Sequence, residues 1–265
     1  TSAASASLTI DEGALDLFIF LGPDLRAILR DYTALTGRMP RLPRWAFGLW
    51  TSRCRYQTRG EAQAAVARLR AEAIPVDVVN LDPAWLKIPG LNCDFAWNED
   101  AFPDPAGMVR RFAEDGVKVC LWEVPYLAAG TPAHDEALAR GFLLRDAEGA
   151  PIRQIDGAFR PDIDRGLVDF TNPAAAAWWQ DLHRPLLALG IAAFKTDFGE
   201  GVPPGARSHA GLTGRQLRNR YPLLYNRAVY AVTEEVRGTG LIWGRSGWAG
   251  SQRYPAQWGG DPAAT

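Results

Sequence analysis

Short apolar runs alternate with helical patterns along this chain. WAFGLWTS (45–52) reads as a strand and GEAQAAVARLRAEA (60–73) as the helix after it. VDVVNLD (76–82) is β-branched and bounded by Pro75 and Pro83, which predicts a second strand. A loop rich in Trp, Asn and Pro follows, then a helix starting after Pro105. KVCLWEV (118–124) is the third strand. TPAHDEALARG (131–141) is the next helix, with Thr131 as N-cap and Pro132 at the first helical position. Residues 142–170 are irregular and read as an inserted loop or hairpin. TNPAAAAWWQDLHRPLLALG (171–190) is a helix containing Pro185, and AAFKTDF (192–198) the fourth strand. GRQLRNRYPLLYNRAVYAVTEEVRG (214–238) is helical and broken near Pro222. LIWGRSGW (241–248) and QWGGD (257–261) complete a set of about six strands.

Alternation of helices with nearly continuous apolar strands predicts a parallel sheet covered by helices. An open doubly wound sheet and a (β/α)8 TIM barrel share this rhythm. The dinucleotide-binding version lacks its G-x-G-x-x-G after the first strand. Polar residues gather instead at strand C-termini: Asp82, Glu123, Asp197, Glu200, Arg245 and Asp261. A barrel carries its chemistry on that face. The fold class expected is therefore α/β, a (β/α)8 TIM barrel truncated to about six strands. LDLFIFLG and a short helix precede it. Residues 1–41 are thus expected to be the tail of a preceding domain with a linker helix. Residues 42–265 are expected to be a partial barrel lacking its C-terminal strands, an excerpt of a longer protein that is inactive by itself.

Composition narrows the partners. Lys+Arg number 29 against Asp+Glu 30, a net charge of −1, and no basic cluster interleaves with aromatics. Nucleic acid and an anionic membrane surface are not expected partners. No apolar run is long enough to span a bilayer, and no signal peptide is present. Three cysteines (Cys54, Cys93, Cys120) without C-x-x-C spacing argue against disulfides and for a reducing, cytoplasmic compartment. His134, His183 and His209 lie far apart in sequence, so no metal site is expected. Ten tryptophans stand out, several beside Gly, Pro and charged residues: Trp85, Trp97, Trp122, Trp243, Trp248 and Trp258. Indole faces stack on sugar rings, but indoles also simply fill cores.

Two strand-end carboxylates, Asp197 and Asp261, form the best pair for glycoside hydrolysis, which needs one ionised and one protonated carboxyl group. Lys195 lies two residues before Asp197 and points to the same side of the strand, where its ammonium would keep Asp197 ionised. Trp258 and two glycines precede Asp261, so the indole could desolvate that carboxyl and favour its protonated form. Pattern alone leaves a second reading open, in which each Asp caps the helix after its strand.

KTDFGE (195–200) and GRSGWAGSQRYPAQWGGD (244–261) resemble glycoside hydrolase family 31. So do LPRWAFGLWTS (42–52), VVNLDPAWLK (78–87), CDFAWNEDAFPDPAGMVRRF (93–112), LWEVPY (121–126) and DFTNPAAAAWW (169–179). The resemblance implies a (β/α)8 barrel and a retaining α-glycosidase that needs no metal or organic cofactor. It implies Asp197 as nucleophile and Asp261 as acid/base. Asp82 matches a carboxylate binding sugar hydroxyls in subsite −1, and Trp122 an aromatic lining that subsite. Lys195 and Arg245 match cations around nucleophile and sugar, and Trp258 the aromatic before the acid/base.

KTDFGE and WGGD look most like the α-xylosidase branch, so an exo-acting α-xylosidase is expected. An α-glucosidase and an inactive carbohydrate-binding fragment are the alternatives. Pro83 departs from the branch pattern at a position facing C5 of the sugar. The loop QIDGAFRPDIDRG (154–166) departs too, with Phe159 in place of an expected Trp. The oligomeric state is not legible in the sequence.

Overall fold

The structure, a computed structural model, describes residues 5, 16–87, 93–153 and 164–261. The chain divides into two units, Thr1–Arg38 and Met39–Thr265. The first holds α1 (Leu25–Thr36), begun by Asp24, whose carboxylate accepts from the Ala27 amide at 2.8 Å.

In the second unit the strands are β1 (Trp50–Thr51), β2 (Val78–Leu81), β3 (Lys118–Glu123), β4 (Tyr126–Ala128), β5 (Arg165–Leu167) and β6 (Ala193–Thr196). Between and after them run α2 (Arg59–Ala71), α3 (Pro105–Glu114), α4 (Pro132–Ala139), α5 (Pro173–Ala188), α6 (Gly214–Leu217) and α7 (Tyr221–Arg237). β1, β2, β3 and β6 pair in parallel in that order. The ladder continues past β6. Trp243 donates its amide to the Phe194 carbonyl at 2.8 Å, and Gly244 donates to Ala256 at 2.9 Å. Parallel bridges Phe194–Ile242 and Gly244–Gln257 mark two further segments. Six parallel segments thus follow one another around the sheet in chain order, each spatial neighbour being the next in sequence. That winding is the front of a (β/α)8 barrel rather than a doubly wound sheet, in which the order reverses.

Each strand presents two faces with period 2. Val78, Cys120, Ala193 and Leu241 form a small cluster with Trp45 and Trp50, which is the barrel interior. The alternate residues Val79, Leu81, Val119, Leu121 and Phe194 join the larger core against the helices. Continuing inward two residues at a time leads to Asn80 and Asp82, to Trp122, to Lys195 and Asp197, and to Trp243 and Arg245. The apolar layer therefore ends where the chemistry begins.

Several expectations change in detail. The first strand is short, because Arg44–Phe47 forms a 3-10 turn after Pro43 that Gly48 ends. Only Trp50 and Thr51 remain to pair with Val78 and Val79. Residues 142–170 contain one arm of a hairpin, as β5 pairs antiparallel with β4, Tyr126 opposite Leu167. Phe159 and most of the loop around it lie outside the described residues. The helix over 214–238 breaks between Leu217 and Tyr221, ahead of Pro222, which sits in the first turn of α7 where its missing N–H is harmless. Thr131 does cap α4, accepting the His134 amide at 3.2 Å, with Pro132 at the first position. Cys54, Cys93 and Cys120 are unpaired. No helix among the described residues is long and apolar enough to cross a membrane.

Candidate active site

Asp197 lies one residue beyond β6 and is 7% exposed. Its Oδ2 accepts from the indole Nε1 of Trp122 at 2.7 Å. Its Oδ1 accepts from the Phe198 amide at 2.9 Å and from Arg245 Nη1 at 3.3 Å. Both oxygens are therefore occupied by fixed donors. The helix-cap alternative fails for Asp197, since the next helix, α6, is capped by Thr213.

The turn after Asp197 is unusual. Phe198 is left-handed at φ 56°, a conformation that costs a non-glycine residue energy. Its amide points back onto Asp197, its carbonyl accepts the Ser246 hydroxyl, and its ring lies 4.2 Å from the Arg245 guanidinium carbon. Gly199 follows at φ 98°, where a Cβ would come within 2.9 Å of Ser246 Oγ. Only glycine fits there.

Arg245 is the hub. Its Nη1 also meets Asp261 Oδ2 at 3.2 Å, and its Nη2 meets Glu200 Oε1 at 3.0 Å. One nitrogen thus touches both Asp197 and Asp261. Those two oxygens lie no farther apart than the two contacts laid end to end, about 6.5 Å, a bound that admits the ~5–5.5 Å of a retaining pair and falls short of nearly all of the inverting range.

A second cluster sits beside the first. Asp82, 6% exposed, accepts from Lys195 Nζ at 2.9 Å, from Ser52 Oγ at 3.3 Å and from the Asn80 side-chain amide. Burial pushes the Asp82 carboxyl above its ordinary value, the Lys195 ammonium pulls it back, and the charge of Asp197 adds to the upward push. Lys195 Nζ also stands 5.1 Å from the Trp243 ring and 5.2 Å from that of Trp258. Trp258 packs on Trp243, and Trp243 on Trp50.

Two sequence expectations are corrected here. Lys195 does share the inward face with Asp197, but its ammonium goes to Asp82, and Arg245 supplies the cation at Asp197. The reason is geometric: Lys195 is two residues lower in the barrel, level with Asp82's reach across from β2. Nor does Trp258 desolvate Asp261, whose side chain is 83% exposed while the indole is engaged by Trp243 and Lys195.

Replacing Lys195 with Met should therefore act first through Asp82. Its carboxyl, raised by burial and no longer held down by the ammonium, would stay protonated to higher pH. The acid limb of kcat/KM should move to higher pH, with a loss of about 10- to 100-fold near that limb. A pH–rate profile identical to wild type would show that Asp82 is not needed ionised.

The tryptophans divide between both readings. Trp85 is fully buried and donates to the Trp122 carbonyl at 2.9 Å, a packing role. Trp97 meets Trp85 edge to face, with ring centroids 4.8 Å apart. Trp122 is buried yet touches Asp197, and Trp248 is 53% exposed. Among the described residues no three His, Cys, Asp or Glu side chains are grouped to hold a metal ion.

Residues 39–265 match the family model described as the glycosyl hydrolases family 31 TIM-barrel domain. The chain belongs to glycoside hydrolase family 31. Among its family 31 relatives, alpha-xylosidase XylQ of Lactiplantibacillus pentosus is 38% identical over 229 residues, 85% of this chain and 29% of that protein. An alpha-xylosidase of Emericella nidulans is 33% identical over 268 residues, 98% of this chain and 33% of that protein. The chain thus spans a third or less of their length. Among solved structures, the family 31 dextranase of Flavobacterium johnsoniae, complexed with glucose, aligns with a TM-score of 0.83 at 28% identity, over 91% of this chain and 30% of that one. The cycloalternan-forming enzyme of Listeria monocytogenes, in complex with a pentasaccharide substrate, aligns equally well at 29% identity, over 92% and 25%.

Sequence reasoning missed the supports. Ser52 and Asn80 hold Asp82, Phe198 lies on Arg245 beside Glu200, which the sequence placed at a strand end without a partner, and Thr196 and Ser246 are tied together through Asn226 on α7. Period 2 could have put Asn80 on the inward face below Asp82. Nothing local could have paired Asn226 with the end of β6, 30 residues upstream, and with Ser246, 20 residues downstream.

Proposed function

We propose that this chain is the front of the catalytic barrel of a retaining, exo-acting α-glycosidase of the α-xylosidase type. Asp197 is the nucleophile and Asp261 the acid/base. Residues 1–41 are the tail of a preceding domain. What carries this reading is the single Arg245 nitrogen that touches both carboxylates. A shared guanidinium draws the two carboxylates to one place, at a separation whose upper bound admits the ~5–5.5 Å of a double displacement.

Asp261 protonates the glycosidic oxygen while Asp197 attacks the anomeric carbon of an α-glycoside from the opposite face. The β-linked glycosyl-enzyme is then hydrolysed by a water that Asp261 deprotonates, and the anomeric configuration is retained. Trp122 and the Phe198 amide, fixed on the two Asp197 oxygens, aim the attacking lone pair. Asp82 and Lys195 bind sugar hydroxyls, with Trp258 and Trp243 as an apolar wall. The chemistry needs no metal or organic cofactor, since proton transfer alone activates the leaving group.

The sugar is the finer part of the proposal. KTDFGE and WGGD support an α-xyloside, as do two relatives named alpha-xylosidase at 38% and 33% identity. Pro83, partly exposed beside Asp82, departs from the α-xylosidase pattern at the wall facing C5, and an α-glucoside is the alternative. Xylose lacks the C6 hydroxymethyl, so a wall at C5 excludes glucose by contact. The expected result is a kcat/KM for an aryl α-xyloside at least about 10-fold above that for the α-glucoside. The reverse order would move the assignment to α-glucosidase and leave the mechanism intact.

A further inference from the structure

Glu123 and His183 are both fully buried and bonded to each other, on the side of β3 away from the sugar site. Glu123 ends β3 and faces α5, which carries His183. His183 Nδ1 lies 2.7 Å from the Trp179 carbonyl oxygen. A carbonyl only accepts, so Nδ1 carries a proton and Nε2 is left to meet Glu123 Oε2. One further proton is shared across that contact, and the pair is neutral overall however that proton is drawn. The surroundings are apolar: the rings of Phe95 and Phe194 lie 4.8 and 4.5 Å from the imidazole. The Tyr225 hydroxyl is buried beside the same carboxyl group, and burial first, then Glu123, push its phenol well above the ordinary value.

Such a pair is a poor way to fill space, since apolar residues of similar volume stabilise a core as well or better. What it adds is direction. Glu123's own carbonyl accepts the Asp197 amide at 3.0 Å, and its neighbour Trp122 donates to Asp197 Oδ2 at 2.7 Å. Two consecutive residues of one strand end therefore orient the proposed nucleophile.

We infer that the buried Glu123–His183 bond is a positioning pair, which ties the end of β3 to α5 and so fixes Trp122 and the Glu123 carbonyl against Asp197. This rests on the proposed role of Asp197. Neither residue touches the substrate.

The test uses the full-length protein and three measurements. Glu123→Gln keeps the length and can donate its amide to His183 Nε2, so kcat should stay within about 3-fold of wild type, within the spread of a single uncharged hydrogen bond. The double variant Glu123→Leu with His183→Leu fills the volume without the bond. Its Tm should match or exceed wild type and its KM should change little. Its kcat should fall about 100-fold, the effect of a misplacement of about 1 Å. Wild-type kcat in the double variant would reduce the pair to filler and overturn the inference. A loss in Glu123→Gln as large as in the double variant would also overturn it, since charge rather than direction would then matter.

The third measurement needs neither turnover nor a folded variant. The imidazole 15N spectrum of the unmutated protein should show His183 protonated at Nδ1, with Nε2 hydrogen-bonded. An Nε2 that makes no hydrogen bond would rule the pair out, since Nε2 is the atom that meets Glu123. If the wild-type protein hydrolyses no aryl α-glycoside, the functional proposal fails, while this spectrum still reads the pair.

Discussion

Asp197→Ala in the full-length protein should abolish turnover of aryl α-glycosides, a loss on the order of 10⁴-fold or more. The substitution removes the proposed attacking atom and leaves a small cavity ringed by Trp122 Nε1, the Phe198 amide and Arg245. All three are donors, so the cavity is an anion site. Azide should enter it, attack the α-glycoside from the face Asp197 used, and release a β-glycosyl azide. Turnover close to wild type would remove Asp197 from the mechanism. Rescue that yields the α-azide would mean that another group acts as nucleophile.

Asp261→Ala should separate substrates by leaving group. A general acid contributes about 10²- to 10⁴-fold where the departing oxygen is a poor leaving group. Unactivated alkyl α-glycosides should lose that amount in kcat/KM. Aryl glycosides with acidic phenols need little protonation and should lose far less. In the proposed mechanism the second step uses Asp261 as base, so the glycosyl-enzyme should accumulate. Azide added to this variant attacks that intermediate from the opposite face and should yield the α-azide. The two variants are thus told apart by the configuration of one product. Equal slowing of both substrate types in single-turnover glycosylation would exclude Asp261 as the acid.

The exposure of Asp261, at 83% of its side chain, bears on the same experiment. Arg245 is its one contact with the rest of the described site, and that guanidinium also engages Asp197 and Glu200. A carboxyl group meant to donate a proton works best when its neighbours disfavour its charge.

Much of this protein was legible without coordinates. The alternation of apolar runs with helical stretches put six strands in place. Period 2 along FKTDF put Lys195 and Asp197 on one face while Thr196 turned outward to Asn226. Strand order and the C-terminal face followed from chain direction, because parallel strands joined by helices bring all their ends to one side. Thr131 and Pro132 announced α4 through local capping chemistry alone.

The partners of the charges were decided only in three dimensions. Sequence put a cation two residues from Asp197, but not which cation would reach it. Lys195 crosses to Asp82, 113 positions away in sequence, and Arg245 arrives from 48 positions downstream. Contacts at such separations depend on strand register and on the height of each residue in the barrel. The left-handed Phe198 was equally invisible, since a phenylalanine gives no sign that it will adopt φ above zero. His183 looked like one of three scattered histidines, and became a buried partner of Glu123 only when α5 packed on β3. Local periodicity sets which way a side chain faces. Whom it meets is set by packing between elements distant in the chain.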